Sequence, residues 1–206
     1  EDADVTLRLY NILSERVAEE KLDKIYEIFE KPMIKILSKL ETNGIKVDDS
    51  YLKKLSKKFE ERLIKIEKEI YKISGKKFNI GSPKQLGEII YNDLKIAKLK
   101  KTKKGSLATS AKILEDLALT GHKFPNFVLE WRQVSKLKST YTDALQEHIS
   151  KKTKRVHTSF LLAATNTGRL ASSDPNLQNI PIKTSDGKEI RKAFIAEKNN
   201  ILISAD

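Results

Sequence analysis

Residues 49–73 read DSYLKKLSKKFEERLIKIEKEIYKI, a long run with a regular helical pattern. Its apolar residues recur in steps of three and four, which is typical of a helix that buries one narrow stripe. The stripe consists of Leu52, Leu55, Phe59, Leu63, Ile66, Ile70 and Ile73. Most of the other side chains are charged. We therefore predict one long helix, capped by Asp49 or Ser50, with a single buried face.

A second stripe of the same kind lies further along the chain, within residues 126–150. It consists of Val128, Trp131, Val134, Leu137, Tyr141, Leu145 and Ile149. Two rods with matching stripes, joined by short helices, predict an antiparallel helical arm. We also expect helices over residues 1–18 and 19–29, and a third from Pro32 that stops at Gly44.

The pattern changes after residue 154. Residues 156–164 are apolar and β-prone, and residues 165–181 are mostly irregular in pattern. Residues 193–196 and 201–205 are predicted strands. The predicted fold class is mainly α: an antiparallel arm of long helices followed by the beginning of an α+β domain.

The composition limits the possible partners. The 206 residues carry a formal net charge of +12, which favours a polyanionic partner, although solvated lysine-rich faces would give the same sum. Cysteine is absent, which excludes thiolate metal sites, and the three histidines lack metal-ligand spacing. No apolar run reaches the length of a membrane span, so we expect no membrane partner. The only methionine is Met33, and we expect the chain to be an interior piece of a longer protein.

Residues 167–181 read TGRLASSDPNLQNIP and are rich in hydrogen-bonding side chains. They are followed by the cations Lys183, Lys188, Arg191 and Lys192. Such a surface suits a nucleic acid, because the cations can contact its phosphates and the other polar side chains can contact its base edges. The alternative is that Arg169 pairs with a carboxylate such as Asp174, and that Asn176 and Gln178 hold the loop's own backbone.

This run resembles the signature that family A DNA polymerases carry at the start of the palm. Other stretches match the family in the same order: residues 1–7 the end of the 3′→5′ exonuclease domain, 78–86 and 136–143 the thumb, 155–159 and 190–196 the palm entrance, and 203–206 the first catalytic palm motif. The resemblance implies an exonuclease-like end and linker helix at residues 1–30, a helical thumb at 31–153 and the N-terminal part of the palm at 154–206.

The resemblance also implies the partners: primer–template DNA and, for the complete protein, incoming deoxynucleotides. Arg169 would donate to minor-groove acceptors near the primer end, where every base pair offers them, and Asn176 and Gln178 would do likewise. Phosphate contacts are implied for Arg132, Lys136, Ser139, Thr140, Lys188 and Arg191. A solvated helix face is the alternative for the thumb residues. The six lysines of residues 95–104 are either a solvated loop or a thumb tip over the DNA.

Asp206 is implied to be the first of two essential palm aspartates. Polymerases transfer nucleotides with two divalent metals, here Mg²⁺, which such carboxylates hold. The second aspartate and the nucleotide-binding fingers helix would lie beyond residue 206, so the chain alone is expected to be inactive. The complete protein is expected to be a DNA-directed DNA polymerase of replication and repair, in the bacterial cytoplasm at the nucleoid.

Three positions depart from the family pattern. Ala171 replaces a usual Ser, Leu162 stands where a Gln is common, and Glu189 stands where many members carry a second basic residue. A carboxylate at position 189 would repel phosphate. The rival hypothesis is a non-catalytic, sequence-independent nucleic-acid-binding module, while a coiled-coil scaffold would account for the two rods but not for residues 167–181.

Overall fold

The structure is a computed structural model, which describes residues 1–98, 102 and 105–203. The helices are α1 Asp2–Glu19, α2 Asp23–Ile25, α3 Lys31–Asn43, α4 Asp49–Ser74, α5 Pro83–Glu88, α6 Ala111–Leu119, α7 Lys123–Leu137, α8 Ala144–Glu147 and α9 Ser185–Arg191. The strands are β1 Ile45–Lys46, β2 Arg155–Val156, β3 Ser159–Leu161 and β4 Ala171–Ser173. π-Helical turns at Tyr26–Glu30, Ile89–Asp93 and Lys138–Asp143 continue α2, α5 and α7. The fold is mainly α with small sheets, as predicted.

The chain forms two compact units. The first contains residues 1–46 and 148–179, and the second contains residues 47–147 together with the described residues from 180 onward. The predicted domain boundaries after residues 30 and 153 come from family motifs, whereas these units are defined by compactness. Those boundaries therefore stay predictions. Within the described residues, no helix has the length and apolarity that crossing a membrane requires.

In the second unit, α4 packs antiparallel to the rod formed by α7, its π turn and α8. Residue numbers rise along α4 as they fall along the other rod: Ser56 contacts Asp143, Glu60 contacts Lys138, and Glu67 contacts Trp131. Most residues of the predicted stripes lie between the rods, but α8 ends at Glu147, so Ile149 of the second predicted stripe lies beyond the rod. Buried members are Leu52, Leu55, Phe59, Leu63, Ile66 and Ile70 from α4, and Val128, Val134, Leu137, Tyr141 and Leu145 from its partner. The antiparallel arm is therefore confirmed.

The cap of α4 differs from the prediction. The N-cap residue is Asp48, whose carboxylate accepts a hydrogen bond from the backbone N–H of Tyr51 at 2.9 Å. That bond also lowers the pKa of Asp48 from its ordinary value. Asp49 and Ser50 already lie inside the first turn, so the predicted cap was wrong by one or two residues.

In the first unit, two small antiparallel sheets follow the helices. β1 pairs with β2, which places Ile45 opposite Val156. Gly44 precedes β1 with φ +59°, and a Cβ there would lie 2.6 Å from the carbonyl oxygen of Val156. β3 pairs with β4, which places Phe160 opposite Ser172. β4 therefore forms inside the segment that was expected to be irregular.

The strands predicted for the last segment are wrong within the described residues. Phe194 makes one isolated antiparallel bridge with Val47, and residues 201–203 form no strand, while residues 204 and 205 lie outside the described part. Helix α9, which the sequence analysis did not predict, precedes residues 193–196. Thr184 caps α9 by accepting a hydrogen bond from the backbone N–H of Gly187 at 3.1 Å.

Candidate nucleic-acid interface

Arg169 lies on the loop between β3 and β4. The loop is held by a hydrogen bond from the Thr165 hydroxyl to the Arg169 carbonyl oxygen at 2.8 Å, and Gly168 adopts φ +71°. The Arg169 side chain is exposed. Among the residues that the structure describes, it makes no ion pair or side-chain hydrogen bond, and the alternative pairing with Asp174 is not formed. The loop therefore presents a free planar cation to solvent.

The side-chain amides of Asn176 and Gln178 differ in their hydrogen bonding. Asn176 Oδ1 accepts a hydrogen bond from the backbone N–H of Gln178 at 3.0 Å, and the Ser172 hydroxyl lies 3.4 Å from the same oxygen. Ser172 is buried and also accepts from the backbone N–H of Leu177 at 3.1 Å. Asn176 thus holds the loop's own backbone with its oxygen, as the alternative interpretation expected. The exposed side chain of Gln178 lies on the turn that Asn176 orders.

The motif at residues 136–143 has an inner and an outer side. On the inner side, Lys138 Nζ lies 2.9 Å from Asp143 and 3.0 Å from Glu60 on α4. The Asp143 carboxylate also accepts from the Ser56 hydroxyl at 2.6 Å. Hydrogen bonding to Asp143 raises the pKa of Lys138. These contacts join the two rods.

On the outer side of the motif, Lys136, Ser139 and Thr140 are exposed. They lie three and four residues apart, so they share one face of the helix. The structure therefore brings these three predicted phosphate contacts together on the solvent side of the arm.

Arg132 occupies a more enclosed position on α7. Its Nη1 donates to the backbone carbonyl oxygen of Thr109 at 2.6 Å, and Nη2 lies 3.5 Å from the Thr109 hydroxyl. Burial lowers the pKa of Arg132 from its ordinary value. A phosphate contact by Arg132 would have to use the N–H groups that Thr109 leaves.

Helix α9 carries the last pair of predicted contacts, Lys188 and Arg191, and both are exposed. Between them, Glu189 accepts a hydrogen bond from the Tyr51 hydroxyl at 2.7 Å and pairs with Lys192. The family pattern did not single out Tyr51. Its contact joins residues 138 positions apart, for which no local pattern exists.

Part of the predicted site lies outside the described residues. Asp206 lies outside them, as do four of the six lysines of residues 95–104. The other two, Lys95 and Lys98, are described and exposed. Within the described ranges, no group of three or more His, Cys, Asp or Glu residues could hold a metal ion.

Comparison with known proteins decides the family. Residues 49–206 match the family model described as DNA polymerase family A. This chain belongs to DNA polymerase family A. The match begins at the first residue of α4 and covers the arm and the run at residues 167–181.

Curated relatives of this family A chain include two bacterial enzymes. DNA polymerase I of Rhizobium leguminosarum is 51% identical over 206 residues, which cover 100% of this chain and 20% of the relative. DNA polymerase I of Borreliella burgdorferi is 48% identical over 100% of this chain and 22% of the relative. The chain thus spans about a fifth of the length of these relatives.

A solved structure resembles this family A chain closely. It is the POL domain of Pol1 from M. smegmatis in complex with DNA primer-template and dNTP, with a TM-score of 0.86 and 36% sequence identity. The match covers 93% of this chain and 34% of that one.

Proposed function

We propose that this chain is the part of a bacterial family A DNA polymerase that holds primer–template DNA, and that the complete protein extends the primer by adding deoxynucleotides to its 3′ end. The observation that carries the proposal is the likeness, over 93% of this chain, to a polymerase domain solved with DNA primer-template and dNTP. Family membership favours this function over a non-catalytic binding module.

Arg169 is proposed to test the base pair at the primer end. Every Watson–Crick pair offers an acceptor at purine N3 or pyrimidine O2 in the minor groove, so one donor can test pair shape without reading sequence. The exposed Arg169 guanidinium suits this role because it has no partner among the described residues to give up. Asn176 orders the turn, and its amide N–H groups and those of Gln178 are proposed as further donors.

The sugar–phosphate backbone is proposed to bind two groups of side chains. Lys136, Ser139 and Thr140 lie on the solvent face of the arm, where a cation and two hydroxyls suit phosphate oxygens. Lys188 and Arg191 on α9 are the second group. Arg132 is proposed to contribute through the N–H groups that remain beside its bond to Thr109.

The chemistry that we propose for the complete protein is two-metal phosphoryl transfer with Mg²⁺, in which the ions activate the primer 3′ oxygen and stabilise the leaving group. Asp206 is proposed as one ligand on the basis of the family motif. Because at least one more carboxylate is needed, the 206-residue chain should not catalyse the reaction alone. We place the complete protein in the bacterial cytoplasm, at the nucleoid.

A gel-based primer-extension assay tests the proposal. The full-length parent protein should extend a labelled primer in a template-dependent manner with Mg²⁺ and deoxynucleotides, and the 206-residue chain should not. Binding of primer–template without any extension by the full-length protein would favour the non-catalytic module instead.

A further inference from the structure

Helix α9 has its charges sorted onto two sides. At roughly 100° per residue, its acidic residues share one side with the buried Ile190, while its cations share the opposite side. The acidic side consists of Asp186 and Glu189, and the basic side consists of Lys188, Arg191 and the adjoining Lys192.

Helix α4 lies along the acidic side. Arg62 Nη1 donates to Asp186 Oδ2 at 2.8 Å, and the Tyr51 hydroxyl donates to Glu189 Oε2 at 2.7 Å. The acidic residues Asp186 and Glu189 thus each bind a side chain of α4. The residues of the basic side, Lys188, Arg191 and Lys192, are exposed to solvent.

Without a partner, the Glu189 carboxylate would oppose DNA binding, because it would repel the phosphate that Lys188 and Arg191 are proposed to bind. Its two oxygens are both engaged, one by Tyr51 and the other by Lys192. Hydrogen bonds from Lys192 and from Tyr51 lower the pKa of Glu189, so it stays ionised at neutral pH. Burial, with Glu189 adding to it, raises the pKa of Tyr51 to about 12, so the phenol keeps the proton that it donates.

The helix does not depend on this hydrogen bond for its existence. The backbone N–H of Asp48 donates to the Ala193 carbonyl oxygen at 2.8 Å, and Ile190 and Ala193 are fully buried. Gly187 packs so tightly on Pro181 that a Cβ would lie 2.7 Å from it. Removing the Tyr51 hydroxyl should therefore release the Glu189 carboxylate from α4, with Lys192 as its remaining partner, and leave α9 in place.

We propose that Tyr51 is a positioning residue for DNA binding: its hydroxyl holds the Glu189 carboxylate against α4, so that phosphate beside α9 meets Lys188 and Arg191 instead of an anion. The inference rests on the proposed function, and it names the element of this chain that keeps an acidic residue away from the proposed phosphate contacts.

The test measures the affinity of the full-length protein for primer–template DNA by fluorescence anisotropy at fixed ionic strength. Tyr51→Phe should weaken binding roughly two- to fivefold, the range of one exposed charge interaction. Tyr71→Phe is the matched control, because it also removes a single hydroxyl hydrogen bond from α4, to the Phe78 carbonyl oxygen at 3.1 Å. It should bind DNA as the unaltered protein does.

The double variant Tyr51→Phe/Glu189→Gln separates positioning from simple loss of structure. With its negative charge gone, position 189 no longer repels phosphate, so affinity should return to that of the unaltered protein. Unchanged binding by Tyr51→Phe, equal weakening by Tyr71→Phe, or failure of Glu189→Gln to restore affinity would each overturn the inference. Absence of binding by the unaltered protein would overturn the proposed function as well, so the two failures are distinguishable.

Discussion

The guanidinium of Arg132 donates through Nη1 to the backbone carbonyl oxygen of Thr109, at an N–O distance of 2.6 Å. This bond ties the segment before α6 to the middle of α7. Lys136 lies one turn further along the same rod, but its side chain is exposed. Two cations that the sequence presents as equivalent thus differ in surroundings.

Replacing each of these cations with alanine should change stability by different amounts. Arg132→Ala should lower the free energy of unfolding by roughly 1.5–3 kcal/mol, because a charged hydrogen bond to a partly buried carbonyl is lost. Lys136→Ala should change it by less than about 0.5 kcal/mol and reduce the salt dependence of DNA binding by about one phosphate contact. Urea denaturation followed by circular dichroism measures the first effect. Equal stability of the two variants would contradict the structural role of Arg132.

The Asp143 carboxylate should make stability depend on pH in the acid range. Burial alone would raise its pKa, but hydrogen bonds from Ser56 and Lys138 outweigh burial and lower it. A lowered pKa in the folded state gives stability that is present above the ordinary value of 3.8 and is lost as the pH falls below it. Asp143→Asn should therefore be less stable than the unaltered chain at pH 7, and the difference should shrink below pH 3.8.

Urea denaturation of both proteins between pH 7 and pH 3 checks this pH dependence. Ser56→Ala is the companion variant, since it removes one donor to Asp143 and should give a smaller loss at neutral pH. A difference between the unaltered chain and Asp143→Asn that is constant across this range would show that the carboxylate's charge does not join the rods.

Sequence reasoning succeeded where a pattern is local and repeated. The apolar stripe of α4 recurs from Leu52 to Ile70 along a helix of 26 residues, so predicting the helix and its buried face required no knowledge of distant contacts. The Asp48 cap was missed because Asp48, Asp49 and Ser50 are all good caps and only the backbone shows which one accepts the Tyr51 N–H. Helix α9 has a local signal, a Thr184 cap with Asp186 in its first turn, but Gly187 and its short length hid it.

Strands and side-chain partners were harder to predict because each depends on a distant segment. Residues 193–196 have a strand-like composition, yet Phe194 finds one bridge to Val47 and no ladder. The same holds for the candidate site. Sequence chemistry named Arg169 and Lys136 as available cations, but it could not show that Arg132 is engaged by Thr109 or that Tyr51 reaches Glu189.

Arg169→Ala in the full-length protein should slow primer extension, most strongly from mismatched primer ends. Loss of one good minor-groove contact should cost roughly 1–3 kcal/mol, or about 5- to 150-fold in kcat/KM. Arg169→Lys is the matched control for charge, and because it lacks the planar fork it should recover DNA affinity better than extension. Steady-state kinetics with matched and mismatched primers provide the measurement, and unaltered extension by Arg169→Ala would remove Arg169 from the site.

Asp206→Asn in the full-length protein should abolish synthesis and spare DNA binding. A neutral amide keeps the shape of the side chain but is a poorer ligand than a carboxylate for a hard cation such as Mg²⁺. The proposed DNA contacts at Arg169, Lys136 and Arg191 are unchanged by this substitution. Primer extension and anisotropy measured on the same preparation check both halves, and substantial extension by the variant would show that Asp206 is not a metal ligand.

The exposed cations of this chain are proposed to hold DNA by its phosphates. Anisotropy titrations of a labelled primer–template with the 206-residue chain, repeated over a series of salt concentrations, test this claim most directly. With about three to five phosphate contacts, log K should fall against log salt with a slope of roughly −3 to −5, with no sequence preference. A flat response to salt, or no binding at low salt, would contradict the claim.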